Sequence, residues 1–302
     1  MELDTAVSAD SVRWGMRAPH RTLLLAGLLT LTPGTAWAAA PAGLHPVLAT
    51  LPGSGGTYLL GGWQDGRWLT DAQTRARMTG AATYTRLTLG AAPGRVQGGQ
   101  PGPLGAPEEP CSETLAVTLT PAREGLAILT SARLNAQPRA VTALPTRNAT
   151  YEAAVRTELT RRGLRNPQVS ITRLIRTDLD GNGTQEVLIE ASRFQERNGD
   201  FPPPVGQPGD YSLLLLRAVV NGKVVTTVVG EHIAPLKPWD PGSSAPMPMA
   251  TLHRLAGVAD LNGDGRMELV LYGAYYEGSG FSVQQWTPAG LKGTPLESGC
   301  GV

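Results

Sequence analysis

Two short stretches of this chain combine residue types and spacing that can hold a metal ion. The first reads Asp178-Leu179-Asp180-Gly181-Asn182-Gly183-Thr184-Gln185-Glu186, the second Asp260-Leu261-Asn262-Gly263-Asp264-Gly265-Arg266-Met267-Glu268. A shift of 82 residues, from Asp178 to Asp260, superimposes them. The opening Asp, the Leu, both Gly and the closing Glu are identical, and the third and fifth positions exchange Asp and Asn. Side chains at positions 1, 3, 5 and 9 offer oxygen only, and position 7 (Thr184, Arg266) can add its backbone carbonyl. Gly at positions 4 and 6 lets the chain wind tightly enough to aim those oxygens inward. An oxygen-only set suits a hard cation. Calcium fits better than magnesium, because it takes about 6–8 oxygens at roughly 2.3–2.6 Å in a flexible geometry. The expected ligands are therefore Asp178, Asp180, Asn182, Thr184 and Glu186 at one calcium site, and Asp260, Asn262, Asp264, Arg266 and Glu268 at a second. Equal charge in the two loops predicts comparable affinities, and extracellular modules of this kind bind at roughly 10⁻⁴–10⁻³ M.

The elements that must hold these loops are strands. An EF-hand needs Glu at position 12 and flanking helices, but here position 12 is Ile189 and Leu271. Val187-Leu188-Ile189 and Leu269-Val270-Leu271-Tyr272 are unbroken apolar runs, as expected of strands covered on both faces. Strands at 168–177 and 186–194 flank the first loop. Strands at 211–220 and 223–229 follow, joined by Asn221-Gly222, a strong hairpin signal. The scheme recurs at 251–259, 268–276 and 281–286. One helix precedes it: Tyr151, Ala154, Val155 and Leu159 share a face, Glu152/Arg156 and Glu158/Arg162 are spaced for ion pairs, Asn148 or Thr150 caps the start, and Gly163 follows the last turn. Upstream, 56–89 reads as short strands, with Asp65-Gly66 placing Trp63 opposite Trp68. Residues 91–110 hold five Gly and five Pro and read as a linker or surface loop; strand-like text resumes at 115–119 and 126–129. The fold class is mainly β, with antiparallel blade-like sheets (propeller-like or sandwich) and one α-helix.

At these loops the sequence resembles the FG-GAP/VCBS-type repeats, over residues 168–194 and 250–286. In that family an Asp-x-Asp-x-Asp-Gly-x-x-Asp loop joins the first two strands of a four-stranded propeller blade and binds calcium. The resemblance implies the same ligand positions as the chemistry does. Glu186 and Glu268 stand where the family more often has Asp, and they keep the carboxylate. Two blades cannot close a ring, so propeller-like and packed-sheet arrangements both stay open.

Arg17 and Arg21 precede an apolar run at 23–31, then Pro33-Gly34 and Ala36-Trp37-Ala38. That is the layout of a secretory signal peptide, too short to span a bilayer, which needs about 20 apolar residues. Residues 1–38 are expected to be that signal, with Met16 as the start and 1–15 not translated, leaving a mature chain without a transmembrane segment, secreted or periplasmic. Cys111 and Cys300 are the two cysteines, and an oxidising compartment predicts one disulfide between them. The mature chain divides into a β-rich region at 39–145 and a helix with two calcium-loop repeats at 146–302 (168–232 and 250–302).

Composition narrows the function. Lys and Arg number 26 against 25 Asp and Glu, so there is no basic field for nucleic acid. Gly and Pro total 62 of 302 residues, which favours turns and short strands over a helical bundle. Arg outnumbers Lys 23 to 3, a bias of GC-rich bacterial genomes. Past the signal the histidines are His45, His232 and His253, and no G-x-S-x-G, Walker or H-E-x-x-H pattern accompanies them. The expectation is a non-catalytic binding or adhesion module for a glycan or protein ligand, presented on Trp63, Trp68, Trp239, Tyr275, Tyr276 or Trp286, with calcium in a structural role. The alternative is a secreted hydrolase or its accessory domain.

Overall fold

Short apolar runs separated by Gly- and Pro-rich turns fold into three antiparallel sheets. The structure is a computed structural model that describes residues 43–53, 56–197, 199–287 and 289–301. The expected signal peptide lies outside the described residues. The first sheet contains β1 (His45–Thr50), β2 (Thr57–Gln64), β3 (Arg67–Thr70), β4 (Ala82–Leu87), β5 (Gly94–Gly98), β6 (Gly102–Pro103), β7 (Leu115–Ala116), β8 (Leu119–Thr120) and β9 (Ala127–Ser131). Its order is β6-β7-β2-β1-β9-β4-β5-β8, with β3 paired to β2. Strands β7 and β8 are three residues apart in sequence but lie toward opposite ends of that order, so the sheet curls into a half-barrel. Period-two alternation sorts its side chains. Leu48, Leu59, Tyr84, Leu129 and Val117 fill the curl, while Val47, Ala49, Leu60 and Ile128 face outward.

Asp65 (φ 49°) and Gly66 (φ 79°) make the expected tight turn, which sets Trp63 opposite Trp68 with ring centroids 4.8 Å apart. Two expectations are corrected here. The stretch 91–110 is not simply a linker, since β5 and β6 lie within it and pair with β4, β8 and β7. A second helix also exists, α1 (Asp71–Arg75), started by a capping box between Thr70 and Gln73.

The second sheet runs β10 (Thr142–Leu144), β11 (Ile171–Thr177), β12 (Glu186–Arg193), β13 (Tyr211–Val220) and β14 (Lys223–Ile233), in that order. The expected Asn221-Gly222 turn joins its last two strands, with φ of 51° and 73°. Between β10 and β11 lies the expected helix, α2 (Ala149–Arg161), capped by Asn148, whose side chain accepts from the N–H groups of Thr150 and Tyr151. Glu158 pairs with Arg162 at 2.7 Å and with Arg161 at 3.1 Å. The third sheet is β15 (Leu252–Ala259), β16 (Glu268–Tyr275), β17 (Gly278–Thr287) and β18 (Gly290–Gly301), also in sequence order.

The third sheet is sandwiched. Leu252, Ala256, Val270 and Tyr272 pack on Val47 and Tyr58 of the first sheet. Leu255, Val258 and Leu269 pack on Ile175, Leu188 and Leu214 of the second. The outer face of the second sheet, with Leu174, Ile189 and Leu213, is covered by Val155 and Leu159 of α2. This explains the unbroken apolar runs of β12 and β16, since each strand is covered on both faces. Trp286, expected as an exposed platform, is instead 5% exposed and packs between the second and third sheets. The Cys111–Cys300 disulfide forms, with Cα atoms 5.1 Å apart, and pins the segment after β6 onto β18. No described helix is long and apolar enough to cross a membrane.

Candidate metal centres

Each acidic loop connects the two strands of a hairpin, β11–β12 and β15–β16. In the first, the Asp178 carboxylate accepts the N–H groups of Gly181 (2.7 Å), Asn182 (3.2 Å) and Gly183 (3.0 Å). In the second, Asp260 accepts Gly263 (2.6 Å) and Gly265 (2.8 Å). Gly181, Gly183, Gly263 and Gly265 all have φ between 74° and 85°, the left-handed region that Gly enters at little cost. Those positive φ values turn successive N–H groups toward the first Asp. The closing Glu bonds back in the same way in both copies. Leu179 N–H donates to Glu186 Oε2 at 2.8 Å, and Leu261 N–H to Glu268 Oε2 at 2.8 Å. The repeat therefore conserves wiring as well as residue types.

Ligand oxygens gather most clearly in the first loop. Among the described residues, Asp178, Asp180 and Glu186 each bring a carboxylate oxygen within 4.8 Å of the others. A calcium ion about 2.3–2.6 Å from each oxygen spans up to roughly 5 Å between them, so the group fits such an ion. Asn182 is exposed, and its Oδ1 accepts Thr184 N–H at 2.6 Å. The second loop repeats the bonds made at Asp180 and Asn182 and adds one between side chains. Asn262 donates through Nδ2 to Asp264 Oδ2 at 3.1 Å and accepts Asp264 N–H at 2.9 Å, while Asp264 Oδ1 accepts Arg266 N–H at 2.8 Å. Asp264 is thus turned along the loop. Thr184 and Arg266 are exposed.

The electrostatics favour a cation. Glu186 and Glu268 each begin a strand and are 1% exposed. Burial, with Asp180 and Asp178 adding to it, raises Glu186 above the ordinary carboxylate range. Burial raises Asp260 as well, and pushes Glu268 up to about 8, with Asp264 and Asp260 contributing. These acids sit where their negative charge is poorly met by the protein, surroundings in which a divalent ion would supply counter-charge.

Sequence reasoning missed what joins the two loops. Arg139 donates from Nε to Asp178 O (2.5 Å) and from NH2 to both Leu179 O (2.9 Å) and Gly265 O (2.6 Å). One guanidinium thereby bridges both loops. The same strap adds Asp260 N–H to Ala136 O at 2.8 Å, and the loops touch directly through Met267 N–H to Leu179 O at 2.8 Å. Gln285 on β17 completes the shell by donating to Glu268 Oε1 at 3.2 Å. Gln137-Pro138-Arg139-Ala140 carries no local pattern, so nothing short-range could have identified Arg139.

Comparison with known proteins returns no match. No family model, curated protein or solved structure is similar to this chain. The remaining expected site residues scatter. Tyr275 and Tyr276 pack edge to face at 5.9 Å, and Trp239 donates from its indole to Ala245 O. His232 stacks on Phe194, and burial lowers both His232 and His253 below the ordinary imidazole range.

Proposed function

We propose that this is a secreted or periplasmic, non-catalytic calcium-binding protein of the FG-GAP/VCBS type, in which two structural calcium ions order the β11–β12 and β15–β16 loops and hold a binding surface. Asp178, Asp180, Asn182, Glu186 and the Thr184 carbonyl ligate one ion; Asp260, Asn262, Asp264, Glu268 and the Arg266 carbonyl ligate the other. The observation that carries this reading is the doubled wiring: the same backbone N–H groups bond the same carboxylates at both loops. Arg139 supports a shared role, because order gained at one loop is transmitted to the other through one side chain.

A surface for a glycan or protein ligand is supported by a cavity of ≈ 560 Å³ on the third sheet. His253, Gly273, Gly280 and Gly299 lie in register across its four strands. Three adjacent residues without side chains leave a trench: a Cβ placed on Gly273 would meet nothing within 4 Å, while at Gly280 and Gly299 it would press on the backbone of the neighbouring strand at 3.0–3.2 Å. Ser282, Gln284 and Glu297 line it. Among the described residues no Lys or Arg does, which favours a neutral, hydroxyl-rich ligand. Calcium at millimolar concentration should raise the melting temperature, chelator should reverse the rise, and the double variant Asp178→Ala/Asp260→Ala should remove the response. An unchanged transition on chelation would refute the metal assignment. A calcium-saturated sample tested on generic esterase, phosphatase and peptidase substrates should show no turnover; turnover abolished by His232→Ala or His253→Ala would favour the hydrolase instead.

A further inference from the structure

A second cavity, of ≈ 260 Å³, lies where β11, β12 and β15 meet the loop after β12. Its walls carry three guanidinium groups, Arg173, Arg197 and Arg254, against two carboxylates, Glu190 and Asp200. Glu190, 4% exposed, is already committed to the protein. Its Oε2 accepts Leu255 N–H at 3.1 Å, its Oε1 accepts the Thr172 hydroxyl at 3.2 Å, and Arg254 Nε and Arg173 NH1 stand 3.4 and 4.0 Å away. One buried carboxylate is thus shared between two guanidinium groups.

Arg197 is held differently. It donates from Nε to Gly199 O at 3.0 Å and from NH2 to Asp200 O at 3.1 Å, so the loop backbone, rather than a carboxylate, fixes its orientation. Burial, with Arg254 adding to it, lowers Arg197 below the ordinary guanidinium range, while Asp200 and Glu190 oppose the shift. Arg does not discharge in proteins, and with three guanidinium groups against two carboxylates the cavity keeps an excess of one positive charge.

We propose that this cavity binds an oxyanion, a carboxylate, sulfate or phosphate group, gripped by Arg197 and Arg254 with Arg173 behind them and the Ser192 hydroxyl beside them. A guanidinium fork matches such groups in two-point geometry, and each charged hydrogen bond is about twice as strong as a neutral one. The anion completes a junction between the second and third sheets, independently of the calcium loops. It also separates the two cavities by charge, since the glycine trench carries no Lys or Arg among its lining residues.

The test uses the full mature chain in calcium, titrated with sulfate (a free ion) or glucuronate (a carboxylate on a sugar) to 10 mM, against chloride at matched ionic strength and neutral glucose. A saturable rise of about 3–5 °C in melting temperature at ten times half-saturation is expected for at least one anion. Response to glucuronate alone assigns a sugar acid, and response to sulfate alone a tetrahedral anion. Arg197→Gln, which also gives up the bonds to Gly199 and Asp200, should melt lower than the wild type in chloride and show no further rise with the anion, while Arg197→Lys should retain part of the rise. Equal shifts in chloride and both anions, or an undiminished response in Arg197→Gln, overturn the proposal. Independently of any variant, crystals of the wild type grown with whichever anion gives the response should place its oxygens within hydrogen-bonding distance of Arg197 and Arg254; solvent alone in that cavity would also overturn it.

Discussion

The two acidic loops share one hydrogen-bond skeleton and differ in depth. In the first, Asp178 and Asp180 are half-buried and Asn182 is exposed. In the second, Asp260 and Asn262 are 4% and 3% exposed. Water reaches Asp178 and Asp180 of the first loop, while in the second Asp264 is exposed but Asp260 and Glu268 are enclosed. The bonds along each loop are the same at positions 3 and 5. The first loop gathers three carboxylate oxygens at positions 1, 3 and 9, whereas the second has Asn262 at position 3 and ties it to Asp264 through Nδ2. Duplication copied the wiring, and the surrounding sheets set the cost of leaving each loop without a cation. The buried copy should therefore depend on calcium more than the exposed one.

That contrast can be tested from several sides. The largest effect lies outside both loops. Reducing Cys111–Cys300, which closes a span of 189 residues, should cost on the order of 3–5 kcal/mol. In denaturant titrations the loss should be the same in calcium and in chelator, since the bridge touches neither loop. Next, Asp260→Ala strands the Gly263 and Gly265 N–H groups in poorly solvated surroundings and should cost about 3 kcal/mol, whereas Asp178→Ala should cost about 1 kcal/mol because water reaches its partners. Equal losses would erase the distinction drawn here. Arg139→Ala removes donors from three carbonyls and should cost about 2 kcal/mol; it should weaken calcium stabilisation at both loops, measured in the Asp178→Ala and Asp260→Ala backgrounds.

Two smaller effects depend on pH. Glu268 is raised to about 8, so its contribution in chelator is present below the ordinary carboxylate range and fades as pH climbs through about 8. Glu268→Gln should stabilise the chelated protein near pH 9 by about 1 kcal/mol and destabilise the calcium-loaded one, a reversal of sign read from paired melting curves. His232 and His253 are lowered, so their contribution is present above pH 6.5 and is lost as pH falls through the depressed values. This loss should be the same with and without calcium and should shrink in His232→Gln.

Much of the local structure was legible because its causes lie in adjacent residues. Asn221-Gly222 and Asp65-Gly66 announce their turns, Asn148 and Gly163 bracket α2, and both acidic loops are recognisable from oxygen donors and glycines at fixed offsets. What stayed hidden depends on distant parts of the chain. β5 to β8 are two to five residues long in Gly- and Pro-rich text, too short for a period to emerge, and the curl they close is visible only in the pairing. α1 offered a single capping signal. Trp286 reads as an ordinary exposed aromatic until the second sheet covers it. Arg139 reaches residues 39 and 126 positions away, and the row of glycines under the trench exists only once the strands of the third sheet are in register.

The most direct test is a count of bound metal: equilibrium dialysis of the mature protein against radioactive calcium, alongside the Asp178→Ala/Asp260→Ala variant. The account predicts two ions per wild-type chain at saturation, one in each single variant and none in the double. A wild-type chain that retains no calcium at millimolar free concentration, or a double variant that retains both ions, would contradict it.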